Sequence, residues 1–269
     1  MLTLKSLIES QSDILNGKRV KLVRHKDDRE EYRERIKHRE SLLIYQEEQT
    51  SEVFKECDYI ISFVGQDRNR SVLFGIFKVN GVRDRKGEYI YYDLEEIHDL
   101  DYLNDRVVID WGSSARGWHQ WYHKQDKEIV EIYPAGYVGS FPGLLEFVLE
   151  YEDLKKLTEN PDANYDWKNH LSSVKGIYMI LDTSTGHQYI GSACGKEGIW
   201  QRWQGYAKDI HGGNKLLKKL YLENPNCYKN FKYSVLQTLP SNVTNREIIK
   251  IENLYKEKLG TRVFGLNGN

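Results

Sequence analysis

Apolar positions along this chain change texture twice. From residue 58 to residue 112 they gather in short runs of β-branched and aromatic residues, DYIISFVG, SVLFGIFKVNG, EYIYYDL and DRVVIDWG. Clusters of Gly, Asp, Asn and Arg separate the runs, the pattern of successive strands. The step Val79-Asn80-Gly81-Val82 has the sequence of a tight hairpin turn, and EIVEIYPAGYVGS adds a further strand and loop. Upstream, the stretch 27–48 has helical character but alternates acid and base, which predicts a solvated face. Pro142, just ahead of GLLEFVLEYEDLKKL, suits the first turn of a helix. Residues 1–157 are therefore expected to form a β-rich domain. The polar stretch TENPDANYDWKNH, with its proline and turn formers, predicts a linker over 158–172.

Residues 173–269 follow a different rhythm. Strands are expected at 176–181 and 187–191 across a turn at 182–186. From 198 to 210, Ile199, Trp203, Tyr206 and Ile210 make an apolar helical stripe. NKLLKKLYLEN predicts a second helix, YKNFKYSVLQTL a strand, and 244–259 a third helix. That last helix opens with capping-box spacing at Thr244 and Glu247 and stops at Gly260. The expected class is α+β: a β-rich front domain, then a small antiparallel sheet flanked by helices.

Composition narrows the function classes. No run in the 269 residues approaches the length of a membrane span, and the first residues lack the apolar core of a signal peptide. Three widely spaced cysteines form neither a disulfide framework nor a CxxC metal site, so a reducing, cytoplasmic setting is expected. The net charge of −1 conceals an asymmetry: residues 171–269 hold 14 Lys and Arg against 7 Asp and Glu, whereas the front is acidic. A basic back end hints at nucleic acid.

The candidate chemistry lies in that back end. GIY at 176–178 and YIG at 189–191 carry Tyr178 and Tyr189 across a short turn, so a hairpin can bring two phenols to one side of a sheet. Arg202 and Tyr206 share a face of the following helix, one turn apart. Glu252 sits at the edge of the buried stripe of the third helix, beside Ile248 and Tyr255, and Asn267 stands in the tail FGLNGN. Phenols, a guanidinium, a carboxylate and a carboxamide suit phosphodiester hydrolysis. The carboxylate binds a hard cation, Mg²⁺ or Mn²⁺, with water completing the shell. Metal and arginine together offset charge developing on the phosphate, and a phenol beside the metal accepts the proton of the attacking water.

These residues, in this order, resemble the GIY-YIG nuclease superfamily over about residues 174–269. The resemblance includes both halves of the name motif, the arginine helix beginning GIWQRW, the glutamate helix and the terminal asparagine. It implies Tyr178 as general base, Tyr189 supporting phosphate or water, Arg202 on the scissile phosphate, Glu252 as metal ligand and Asn267 supporting fold or site. Tyr206 stands where members carry His or Tyr, and the sequence leaves open which of Tyr178 and Tyr206 takes the proton. Lys196, Lys208, His211, Lys215 and Lys218 are the expected DNA contacts, with Lys175 and Lys219 as further basic positions. Trp200 and Trp203 read mainly as core.

In the front half, VVIDWGSSARGWHQWYHK interleaves Trp111, Trp118, Trp121 and Tyr122 with Arg116 and His119. Such a set suits either a barrel core or a pocket for a base taken out of a duplex. The strand-rich texture resembles, at fold level, PUA-like domains, some of which read modified bases. Lys18, Arg19, Lys21, Arg24, His25 and Lys26 form a candidate patch for phosphates. The favoured expectation is a restriction or defence endonuclease acting on double-stranded DNA, modification-dependent through its front domain. A homing or repair endonuclease, or a catalytically degenerate DNA-binding module, is the alternative. One site per chain makes one nick, so a double-strand break requires a homodimer or successive nicking.

Overall fold

The computed structural model describes residues 1–27, 29, 32, 35, 36, 39–112 and 117–268. The chain divides into two compact units, Met1–Pro134 and Ala135–Asn269. The division precedes the stretch expected as a linker, which instead carries a helix of the second unit.

In the first unit the elements are α1 (Leu4–Gln11), β1 (Val20–His25), α2 (Arg39–Glu47), β2 (Glu48–Gln49), β3 (Tyr59–Gly65), β4 (Arg70–Lys86), β5 (Tyr89–Ile97), β6 (Val107–Asp110), β7 (His119–Trp121) and β8 (Ile129–Ile132). The eight strands run in the order β2-β5-β4-β3-β1-β7, with β6 pairing β4 and β8. Only β1 and β3 are parallel among these pairs. This is an open, branched path, not a ring closed by hydrogen bonds among the described residues, so the PUA-like barrel finds no support here. Apolar residues cover both faces of the sheet: Leu22, Ile61 and Phe63 join one core cluster, Val23, Ile60 and Phe77 another. Alternation along β1 and β3 sends neighbours to opposite faces, which is why β1 is buried at every position.

The Asn80-Gly81 step does not turn the chain. β4 runs on to Lys86 against β5, with a bulge between Val79 and Gly81, and the reversal falls at Gly87. Gly81 serves the bulge, at φ +116°.

The second unit contains β9 (Leu149–Glu150), α3 (Tyr151–Glu159), α4 (Tyr165–Ser172), β10 (Lys175–Asp182), β11 (Gln188–Ala193), α5 (Gly198–Asp209), α6 (Lys215–Glu223), β12 (Phe231–Leu239), α7 (Asn245–Lys258) and α8 (Thr261–Phe264). Pro142 does not open a helix. Leu149 and Glu150 pair with Tyr233 and Lys232 on β12, and α3 begins after them, with Glu150 and Asp153 closing a capping box. The apolar residues before it pack as a loop: Phe141 and Phe147 lie edge-on to Trp167 at 5.1 and 4.9 Å. β10, β11, α5, α6 and α7 fall within two residues of expectation, β12 starts three residues later than expected, and α4 and α8 were not expected. Thr244 caps α7 with Glu247 as its spacing predicted.

The antiparallel sheet runs β11-β10-β12-β9, so β11 is an edge strand. One face packs α5 through Tyr178, Ile180, Tyr189, Trp203 and Tyr206. The other packs α7 through Ile177, Ile190 and Ile248.

Candidate active site

Tyr178 faces α5 from the middle of β10, directly opposite Gly191 on the edge strand. A Cβ on Gly191 would lie 2.3 Å from the Tyr178 hydroxyl. Only glycine lets the ring cross the edge strand here, so the third residue of YIG is a steric partner of the third residue of GIY. The phenol ends in a compact polar cluster. Its oxygen is 2.9 Å from the Tyr206 hydroxyl, and Arg202 Nε donates to it at 3.0 Å. Arg202 Nη2 donates to the Tyr206 oxygen at 3.4 Å and Nη1 to the Gly212 carbonyl at 3.2 Å. The Tyr189 ring stands 6.4 Å from Tyr178 and 6.3 Å from Tyr206. Two strands and one helix thus bring together all three phenols and the guanidinium.

Burial drives both hydroxyls toward their neutral form. Desolvation raises the Tyr178 phenol well above its ordinary value near 10, and Tyr189 adds to this against the pull of Arg202. Tyr206 moves the same way, through burial and then its phenol neighbours. Both are therefore hydrogen-bond donors at neutral pH.

Glu252 reaches the site from the opposite face. Its Oε2 accepts from the Ser192 hydroxyl, and its Oε1 is paired with Lys256 Nζ at 2.6 Å. Among the described residues no hydrogen bond or ion pair joins Glu252 to Arg202 or to a phenol. The link is Ser192, which lines a cleft of about 610 Å³ together with Arg202. Five glycines line the same cleft, at 195, 198, 205, 212 and 213. Ser192, Lys256, Gly191 and Gly205 were not anticipated as site residues. For Lys256 the one available signal was its position four residues after Glu252.

Glu252 Oε2 and the Ser192 hydroxyl are oxygen donors of the kind a hard cation takes, and of the two Ser192 lines the cleft. Oε2 accepts one hydrogen bond and keeps a lone pair, whereas Oε1 is committed to the ammonium. Elsewhere, Glu96, His98 and Asp101 bring possible ligand atoms within 4.8 Å in the first unit. There Arg39 already pairs with Glu96, and His98 Nδ1 is hydrogen-bonded to Asp101.

Asn267 is a clamp rather than a contact of the phenols. It is buried, its Oδ1 accepts from Ile190 N at 2.9 Å, and its Nδ2 donates to Ile190 O at 2.8 Å. It thereby ties the tail to the edge strand between Tyr189 and Gly191. Lys196, Lys208, Lys215 and Lys218 are exposed and in no ion pair among the described residues. Lys219 pairs with Glu223, and Lys175 Nζ donates to Val243 O at 2.9 Å. His211 uses its Nδ1 to accept from Gly213 N at 3.0 Å, inside its own loop. Trp200 and Trp203 are core.

The expected aromatic pocket of the first unit does not assemble. Trp111 and Tyr122 are buried in one core cluster, and Trp121 packs against the other. His119 is half-buried, edge-on to Trp118 at 4.9 Å. Arg116 lies outside the described residues. Trp118 lines a cavity of the first unit. The basic patch fares similarly: Lys21, Arg24 and His25 are inside the sheet, Lys21 Nζ donates to Val53 O at 2.6 Å, and Arg19 pairs with Asp58. Lys21, Arg24 and His25 are buried because both sides of β1 are covered, whereas Arg19, ahead of the strand, stays exposed but paired.

No protein-family model and no curated protein matches the chain. Two solved structures are similar, both of the catalytic domain of the intron endonuclease I-TevI. One is 26% identical, spans 36% of this chain and 94% of that one, and superposes with a TM-score of 0.30. The other, described as a homing endonuclease domain, is 27% identical over 35% of this chain and 96% of its own, with a TM-score of 0.29. No helix among the described residues is long and apolar enough to cross a membrane.

Proposed function

We propose that the chain is a divalent-metal-dependent DNA endonuclease whose second unit hydrolyses the phosphodiester bond. The observation that carries this reading is the cluster of Tyr178, Tyr206 and Arg202 beside a glycine-lined cleft, with Ser192 on its wall and Glu252 bonded to Ser192 behind it. Glycines let a sugar–phosphate backbone approach closely. Arg202, charged at any working pH, binds a non-bridging phosphate oxygen and stabilises the charge that grows there. Glu252 and Ser192 would hold Mg²⁺ or Mn²⁺, which supplies charge neutralisation and an acidified water. Of the two phenols, Tyr178 is assigned as base, because Arg202 donates to its oxygen at the shorter distance and so supports its phenolate. Tyr178 acts as base only as its phenolate, so its own proton must first leave to solvent. Burial opposes that loss, and the contacts of Arg202 Nε and of Tyr206 at 2.9 Å favour it; the proton of the attacking water then passes to that oxygen. Asn267 holds the edge strand on which Tyr189 and Gly191 stand. Lys196, Lys208, Lys215 and Lys218 add phosphate affinity without sequence choice.

Within this reading the protein acts in restriction or defence, with the first unit selecting the target and a base modification as the mark. The test is supercoiled plasmid with Mg²⁺, wild type against Glu252→Ala. Wild type nicks or linearises the plasmid and the variant does not. Equal cutting by both removes Glu252 from the metal role, and no cutting by wild type with either metal leaves a DNA-binding module. Equal rates on unmodified and cytosine-modified DNA refute modification dependence.

A further inference from the structure

A second cleft, in the first unit, has no part in the chemistry above. It measures about 330 Å³ and opens where β1 ends, between α2, β2 and the start of β7. Tyr32, Tyr45, Tyr89 and Trp118 line it, with Arg24 and His25 among its polar groups. Tyr89 and Trp118 are 37% and 36% exposed, so their rings are not consumed by the core. Tyr32 and Tyr45 stand 5.6 Å apart, and the His25 ring meets Tyr45 edge-on at 5.8 Å.

The polar groups of this cleft are built in, not incidental. His25 is 4% exposed, yet it belongs to a network: its Nε2 lies 3.1 Å from Gln46 Oε1 and 2.9 Å from Ser62 Oγ. Ser62 gives its own proton to Gln46 Oε1. The proton between His25 and Ser62 therefore sits on Nε2, and Nδ1 keeps its lone pair. Burial lowers the His25 pKa to about 4, so the ring is neutral at physiological pH. Its Nδ1 has no partner among the described residues. Arg24, 6% exposed, donates Nη2 to the carbonyls of Arg68 and Arg70, while its Nε has no acceptor. A buried donor without an acceptor is costly in a folded protein.

We propose that this cleft receives one nucleobase turned out of duplex DNA, of the amino-bearing cytosine or adenine class. The proposal rests on the nuclease reading of the second unit, which supplies the DNA. Aromatic walls offer stacking to a base face. His25 Nδ1 accepts from the exocyclic amine, which selects amino-bearing bases over those presenting a carbonyl there. Arg24, Lys26 and Arg29 outnumber Asp27 and Glu48 in the lining, so the balance of charge favours an attached phosphate. The same charge disfavours a quaternary ammonium, the other usual guest of an aromatic cage.

The test measures binding of the full chain in EDTA, by fluorescence anisotropy, to labelled duplexes differing at one position. That position carries a mismatched cytosine, a mismatched thymine or an abasic site. The cytosine duplex binds tightest, and Trp118→Ala weakens it roughly five- to 150-fold, the range for losing one base–aromatic stack. Tyr89→Ala, a second exposed wall residue, weakens it too, whereas Tyr102→Ala, exposed on the same unit but outside the cleft, does not. Binding as tight to the abasic duplex, or wild-type affinity in both wall variants, overturns the proposal. So does displacement of the duplex by tetramethylammonium but not by deoxycytidine monophosphate. Because cutting is absent in EDTA, these outcomes are separate from the plasmid assay of Glu252→Ala, which alone tests the nuclease.

Discussion

Gly205 stands in the interior of α5, between Arg202 and Tyr206, and a methyl group added there would meet no atom within 4 Å. Glycine at an interior helical position costs about 0.8–1.0 kcal/mol relative to alanine. No backbone conformation or internal contact accounts for it, and the residue lines the cleft. Its absence of a side chain therefore serves something that approaches from outside. Gly205→Ala is expected to stabilise the second unit by about 1 kcal/mol, raising its melting temperature by roughly 3 °C. Against bound DNA the same methyl is an overpacking defect of about 1–3 kcal/mol. Calorimetric melting and DNA affinity measured on one preparation check both signs together. A variant that is stabilised and binds DNA undiminished shows that the backbone does not pass this helix face. A destabilised variant shows that the glycine has an internal purpose, and either result takes Gly205 out of the DNA path.

Three further outcomes follow from the same geometry. Gly191→Ala forces the Tyr178 ring to move and breaks its contacts to Tyr206 and Arg202, so stability falls by about 1–3 kcal/mol and cutting falls with it; in a Tyr178→Ala background the stability loss shrinks, as denaturant titration of the four proteins will show. Lys256→Met removes the ammonium from Glu252 Oε1, so titration calorimetry should find tighter Mn²⁺ binding together with lower stability from the carboxylate left unpaired; unchanged metal affinity separates the pair from the metal site. Burial holds His25 neutral down to about pH 4, whereas in the unfolded chain it takes a proton near 6.5. The unfolded state binds more protons in that window, so stability is present above pH 6.5 and falls by about 3 kcal/mol toward pH 4; a His25→Gln variant should lose that slope, and an equal slope in both proteins contradicts it.

Legibility in the sequence tracked how local each determinant was. The hairpin of β10 and β11, the stripe on α5 and the Thr244 cap were readable because each is fixed by residues within a turn or two. Pro142 misled because Leu149 and Glu150 are held by β12, some eighty positions away, and a sheet partner outweighs a helix-start signal. Asn80-Gly81 misled because turn chemistry also suits a bulge, and continued pairing with β5 decided between them. The aromatic run 111–122 contained a cavity residue, Trp118. Its companions in the second cleft come from α2, the end of β1 and the start of β5, which no local window joins. Gly191 was visible as a motif letter, but its reason needed the register that sets it opposite Tyr178.

The separation of Glu252 from the phenols also has a physical reading. Tyr178 and Tyr206 lie on the α5 face of the sheet, where burial keeps them neutral and close to Arg202. A carboxylate placed among them would pair with that guanidinium and neutralise it. Carrying the acid on α7, across the sheet, prevents this, and Lys256 holds its charge meanwhile. Two faces of one sheet can serve a common substrate only at an edge, and β11 is that edge. Gly191 lets the phenol cross it from one side, Ser192 on the next position reaches Glu252 on the other, and Asn267 between Tyr189 and Gly191 fixes the strand itself. The tail asparagine thus acts on the edge strand and not on the phenols. Its removal should disturb the spacing between base and acid before it disturbs either group alone.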